Sequence, residues 1–213
     1  MQAVFVFGGI GAGKTTLSQM LARALNTPLV REPVDENPFL PHYAVDQTRW
    51  AFTCQTYYYL QYVREYRSVV ERGHPQPAAQ MVIDAGAPTN IHVYGRYMRE
   101  QKIVTTDEFA LYETLTGIIA AQYQYPEPSV IVHAIAPLET CLQRVRMRGR
   151  EFELSGHTQD YVRRVAHYTD EMVDRYGRSG VPVVTYDTLK WDARVPEGIS
   201  ELVGALSRFD SLR

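Results

Sequence analysis

The chain has 213 residues, a formal net charge of −2 at pH 7, 45% hydrophobic residues and 22% charged residues. This length suits one domain, or one domain with a small lid, of ordinary globular composition. The charge balance argues against a dedicated nucleic-acid or membrane-surface binder, and no segment has the apolar length of a transmembrane helix.

In chain order, Val4, Phe5, Val6 and Phe7 form a short apolar run that reads as a buried strand. The run Gly8-Gly9-Ile10-Gly11-Ala12-Gly13-Lys14-Thr15 follows and fits G-x-x-x-x-G-K-[ST], the phosphate-binding loop. A removable signal peptide does not fit a terminus that is already strand and loop, so a cytoplasmic protein is expected. Leu17, Met20, Leu21, Ala24 and Leu25 then recur at helical spacing over 16–26. Residues 27–31 read as a second strand, and Pro33, Pro38 and Pro41 mark a loop. A long helix is expected over 50–72, ended by Gly73, and a third strand over 81–83 closes on Asp84. Helices over 89–101 and 106–125 follow, the second capped at Thr105. A fourth strand spans 130–135, and Pro137 opens a helix that runs into Arg144 and Arg148. A helix over 159–176, a strand over 181–186 and a helix over 196–209 complete the chain. Strands alternating with helices predict a five-stranded parallel sheet covered on both faces. Cys54 and Cys141 form no C-x-x-C pair or metal spacing and read as helix-packing residues in a reducing cytosol.

The glycine-rich loop implies a bound nucleoside triphosphate. Its glycines let successive backbone N–H groups converge on phosphate, and the following helix adds its positive end. Lys14 is expected to reach the β- and γ-phosphates, with Thr16 beside it, and the Thr15 hydroxyl to ligate Mg²⁺. Asp84, at a strand end, is the second metal candidate. Arg144, Arg148 and Arg150 supply positive charge: the first two share a helix face, and Gly149 frees the third. Glu32 follows the second strand, where a carboxylate is suited to take a proton from an attacking hydroxyl. On the next helix Phe52, Gln55 and several tyrosines combine ring faces with one amide, which is what a flat base requires.

These residues resemble the deoxyribonucleoside kinase family, especially its bacterial deoxyadenosine/deoxyguanosine kinase branch, over nearly the whole chain. Gly8 to Thr15 resembles the family's loop. Glu32-Pro33-Val34 with Asn37-Pro38 resembles its E-P-V…N-P segment, and Phe52 with Gln55 its F-x-x-Q helix. Arg148-Gly149-Arg150 with Glu151 and Glu153 resembles its arginine-rich lid. The resemblance implies a single P-loop kinase domain over 1–213, a three-layer sandwich with a lid at about 148–158, acting on ATP and Mg²⁺ as a homodimer. It further implies that Glu32 is the general base, that Lys14, Arg144 and Arg148 clamp the phosphates, that Gln55 reads the base, and that Glu153 meets the sugar 3′-hydroxyl. Tyr62, Asn90 and Tyr94 complete the expected acceptor pocket.

Three positions depart from the family pattern. Ala85 stands where an Arg is expected after Asp84, Tyr62 where an Arg contacts the base, and Asn90 where an Asp pairs with that Arg. Losing the last two together avoids a lone buried charge and implies a pocket that is less charged and more aromatic. Arg64, Arg96 and Arg99 are candidates to replace the missing cation. The leading expectation is phosphoryl transfer to the 5′-hydroxyl of a deoxynucleoside. The alternatives are a hydroxyl on a modified nucleotide or hydroxymethylated base, including one within DNA, and a non-catalytic nucleotide-binding protein of the same fold.

Overall fold

The computed structural model describes residues 2–33, 37–72, 80–150 and 159–210. Five parallel strands form one sheet in the order β2-β3-β1-β4-β5. They are β1 (Gln2–Gly8), β2 (Leu29–Val30), β3 (Gln80–Asp84), β4 (Val130–Ile135) and β5 (Val183–Asp187). The helices are α1 (Lys14–Ala24), α2 (Leu40–Val45), α3 (Gln47–Arg72), α4 (Ala87–Thr89), α5 (Arg96–Glu100), α6 (Thr106–Tyr123), α7 (Leu138–Arg148), α8 (Gln159–Arg178) and α9 (Pro196–Asp210).

Period-two alternation divides the core between the two faces of the sheet. Ala3, Phe5, Phe7, Met81, Ile83 and Ile131 pack against Leu142 and Val145 of α7 and Val162, Val165 and Met172 of α8. Val4, Val6, Val82, Val130 and Val132 face the other way, onto Leu17 and Leu21 of α1 and Leu202 and Leu206 of α9. This is the expected three-layer arrangement. The strands are apolar on both faces because both are covered.

Chain order reverses at β1, which lies between β3 and β4. Open parallel sheets form their ligand crevice at such a switch point, beyond the strand carboxyl ends. Val6 pairs with Asp84 and Gly8 with Ala134, so the phosphate-loop entrance and Asp84 emerge at the same sheet edge.

Two expectations of local structure are corrected. The loop marked by Pro38 and Pro41 contains α2, with Pro41 in its first turn, where a missing N–H costs nothing. The single helix expected over 89–101 is broken into α4, a π-helical turn over Asn90–Gly95, and α5. Gly95 explains why the chain tolerates that turn: a Cβ there would stand 2.9 Å from both the Asn90 carbonyl oxygen and the Phe109 ring. The cap of α6 is as expected. Glu108 N–H donates to Thr105 Oγ1 at 3.1 Å, and Thr105 N–H donates to Glu108 Oε2 at 2.8 Å.

Candidate functional site

A cavity of about 880 Å³ opens at the switch point. One end is the glycine-rich loop. Gly11 and Gly13 have φ of 77° and 91°, the left-handed region that side chains disfavour. Gly11 is constrained further, because a Cβ would lie 2.4 Å from the Cys141 carbonyl oxygen. Gly13 caps α1 with no side-chain hydrogen bond, and no acidic residue occupies the first turn. The first amides of α1 therefore lack a side-chain partner, and the loop keeps the geometry and charge of an anion cradle.

Lys14 lines the cavity and its Nζ donates to the Gly9 carbonyl at 3.1 Å, lying across the loop. Ile10, Gly11, Gly13, Thr15 and Thr16 also line it, whereas Gly8, Gly9 and Ala12 form the loop's buried back. Arg144 lines the cavity but is tied down. Its Nη1 donates to Thr188 Oγ1 at 2.8 Å and to the Gly11 carbonyl at 3.3 Å, and its Nη2 to the Thr188 carbonyl at 3.0 Å. It braces the loop against the end of β5, a fixed role that its helix position alone did not suggest. Arg148 and Arg150 line the same space.

Behind the loop, Asp84 is only 1% exposed. Ser18 Oγ, one turn into α1, lies 2.9 Å from the Lys14 carbonyl and 3.3 Å from Asp84 Oδ1, with one proton to donate to either. Burial, and secondarily the nearby Glu32 carboxylate, raise the Asp84 pKa from 3.8 to about 6, against the opposing pull of Lys14, Thr15 and Ser18. Two neighbouring carboxylates beside a hydroxyl leave a surplus of negative charge, the environment of a hard divalent cation. The described residues hold no group of three or more His, Cys, Asp or Glu side chains able to bind a metal. Thr15, whose side chain hydrogen-bonds Asp84, and Asp84 itself are the two residues that could hold Mg²⁺, which usually takes one or two protein ligands and completes its shell with water and phosphate.

Glu32 lines the cavity next to Asp84, and beyond it lies the other end, walled by α3 and the π-turn. Asn90 Nδ2 donates to Gln55 Oε1 at 2.9 Å, with exposures of 3% and 6%. Tyr62 and Tyr94 line the same region, with Tyr58 from α3 and Tyr161 from α8. Tyr62 is 1% exposed, and burial followed by the carboxylates of Glu32 and Asp84 holds its hydroxyl firmly protonated.

Several expectations change at this end. Phe52 does not line the cavity; its ring stands edge-on to Tyr112, 6.4 Å between centroids. Ala85 points into an apolar cluster with Tyr59, Tyr62, Val63 and Ala87, not into the cavity, and has a φ of 59°. The three proposed substitute cations do not line the cavity either. Arg64 is exposed, Arg96 pairs with Glu100 and Glu171, and Arg99 lies over the Phe109 ring. The cations at the cavity that sequence reasoning missed are Arg31 and Arg194. Arg31 sits just beyond β2, so strand-end position was the signal that could have found it; Arg194 lies seven residues past the end of β5 and carried no such signal. Glu153 and most of the expected lid lie outside the described residues.

The family model described as "Deoxynucleoside kinase" matches residues 4–206. The chain belongs to the deoxynucleoside kinase family. It is 27% identical over 173 residues to the deoxyadenosine/deoxycytidine kinase of Bacillus subtilis, covering 81% of this chain and 74% of that one. It is 28% identical over 213 residues to the deoxyguanosine kinase of Lactobacillus johnsonii, covering 92% and 87%. A structure of deoxyadenosine kinase from M. mycoides with the products dCMP and dCDP superposes with a TM-score of 0.78 at 18% identity, over 97% of this chain and all of the other. Among the described residues, no helix is long and apolar enough to cross a membrane.

Proposed function

We propose that the protein is an ATP- and Mg²⁺-dependent kinase that phosphorylates the 5′-hydroxyl of a deoxynucleoside. The observation that carries this reading is the single cavity joining the phosphate cradle, Glu32 and the buried Gln55–Asn90 pair. The loop amides and Lys14 bind the β- and γ-phosphates of the donor. Arg148 and Arg150, which line the same cavity, neutralise the transferring group, while Arg144 keeps the loop in shape. Thr15 and Asp84 would hold Mg²⁺, whose charge would offset that of the phosphate oxygens. Glu32 accepts the proton of the 5′-hydroxyl as its oxygen attacks the γ-phosphorus, and the products are ADP and the 5′-monophosphate. Gln55 and Asn90 read the base edge, with Tyr62 and Tyr94 beside them.

The acceptor end is walled by buried side chains, and this supports a free nucleoside over a base held within DNA, which calls for an open groove. Whether the chain works as one domain over 1–213 with a lid at 148–158, and as a homodimer, belongs to the same proposal. The exposed side chains of Leu60 on α3 and Leu111 and Ile118 on α6 support the dimer, since such apolar surface suits a partner. The test is turnover of the natural deoxynucleosides with ATP, followed by ADP release and product mass. A 5′-monophosphate supports the proposal; ATP binding without turnover of any nucleoside overturns it.

A further inference from the structure

The phosphate cradle is held from behind by Thr188, which lies one position past β5 and lines the cavity. All of its polar groups are bonded. Its N–H donates to the Ile135 carbonyl at 2.9 Å, and its carbonyl accepts from Arg144 Nη2 at 3.0 Å. Arg144 Nη1 stands 2.8 Å from Thr188 Oγ1, and Oγ1 stands 2.8 Å from the Ala12 carbonyl oxygen. A guanidinium only donates and a carbonyl only accepts, so the direction of this chain is fixed. Arg144 donates to the hydroxyl, and the hydroxyl donates to Ala12. The Ile135 carbonyl is also 3.3 Å from Oγ1, but it is farther away and already takes the Thr188 N–H.

The Ala12 carbonyl shares a peptide plane with the Gly13 N–H. That plane is trans, so the two groups point in opposite directions. With the carbonyl turned back to Thr188, the N–H is turned toward the cavity, which Gly13 lines. Among the described residues nothing accepts from this N–H. The preceding plane is already spent at both ends: the Gly11 carbonyl accepts from Arg144 Nη1, and the Ala12 N–H donates to the Gly9 carbonyl at 3.2 Å. Glycine tolerates either sign of φ, so the Ala12–Gly13 plane would turn over at little cost if nothing held its carbonyl. We infer, on the donor half of the kinase reading above, that Thr188 is a positioning residue for the nucleotide. Its hydroxyl, itself oriented by Arg144, keeps this peptide turned so that the Gly13 N–H meets a donor phosphate oxygen.

Thr188→Val keeps the side-chain shape and removes the hydroxyl; Thr188→Ser keeps the hydroxyl. Calorimetry on the whole protein with Mg²⁺ gives the Kd of ATP and of ADP, and steady-state kinetics give the KM of ATP, the KM of the fastest deoxynucleoside and kcat. The valine variant is expected to bind ATP and ADP about 5- to 30-fold more weakly, the effect of a lost hydrogen bond and an unpaired carbonyl. The serine variant is expected to stay within about threefold of wild type, and the loss in the valine variant to fall on the KM of ATP more than on kcat, as for a contact made before and during transfer alike. The KM of the deoxynucleoside should not follow it. A merely structural role predicts fewer active molecules, so that kcat falls while the Kd of ATP holds. An unchanged Kd of ATP in the valine variant, a serine variant as weak as valine, or a deoxynucleoside KM that rises with the Kd of ATP overturns the inference. If the valine variant does not fold, Thr188→Ala must show the same weakening against Thr188→Ser. The binding measurement needs no turnover: ATP bound without product overturns the kinase reading alone, whereas a wild type that binds no ATP overturns both.

Discussion

Tyr62→Phe is expected to make the ligand-free protein more stable and the enzyme worse. Tyr62 is among the largest fully buried side chains, and its ring completes the cluster with Tyr59, Val63, Ala85 and Ala87. Phe preserves that packing. The hydroxyl has no hydrogen-bond partner among the described residues, and it lies near Glu32 and Asp84, whose charges oppose its ionisation. A buried polar group left unpaired costs about 1–3 kcal/mol. Removing it should raise the unfolding free energy by about 1–2 kcal/mol, or about 3–6 °C in Tm for a chain of this size. Because Tyr62 lines the cavity, a bound acceptor is expected to partner this hydroxyl, and its loss should lower kcat/KM by about 3- to 10-fold, the worth of one neutral hydrogen bond. Thermal melts without ligand and steady-state kinetics on one preparation read both effects. A variant that melts lower than wild type, or one with unchanged kcat/KM, would refute the reasoning that this hydroxyl is held in reserve for the acceptor.

Glu32→Gln should lower kcat by about 10²–10⁴ while nucleotide binding, measured by calorimetry, stays within a few-fold of wild type. Gly11→Ala forces a Cβ to 2.4 Å from the Cys141 carbonyl oxygen at a φ of 77°; it should cost at least about 1–2 kcal/mol in a denaturant titration and weaken nucleotide binding with it. Asp84 gives a pH signature in the metal-free protein. Its folded pKa of about 6 lies above the ordinary 3.8, so the native state binds the extra proton. The stability this contributes is fully present below pH 4 and lost as pH rises through 6. The difference of about two units is worth up to about 3 kcal/mol. Denaturant midpoints across that window should fall in wild type and fall less in Asp84→Asn. Excess Mg²⁺ with nucleotide should flatten the wild-type profile.

Much of the donor half was legible in the sequence because its chemistry depends on backbone and spacing. A loop that needs left-handed glycines at 11 and 13 writes them into the chain, and the strand before it and helix after it follow from period-two and period-3.6 patterns. Asp84 was legible for the same reason, as the polar end of an apolar strand. The acceptor half was legible in composition and not in arrangement. Phe52 and Gln55 are three residues apart on one helix, yet Gln55 lines the cavity and the Phe52 ring turns to Tyr112. The π-turn that presents Asn90 has no simple period, so residues 89–101 read as continuous helix. The sites expected at Arg96 and Arg99 failed because local partners, Glu100 and Phe109, claim those cations. Ala85 reads as a lost charge in sequence and as apolar packing against Tyr62 in structure; the departures at 62 and 85 are two sides of one contact.

The most direct measurement is the product formed by the purified protein from ATP, Mg²⁺ and each natural deoxynucleoside, identified by mass and by the position of the new phosphate. The account predicts a 5′-monophosphate, formed with stoichiometric ADP and abolished to background by Lys14→Ala. Phosphate appearing on another hydroxyl or only on a nucleotide polymer, or ATP bound without any product, would contradict it.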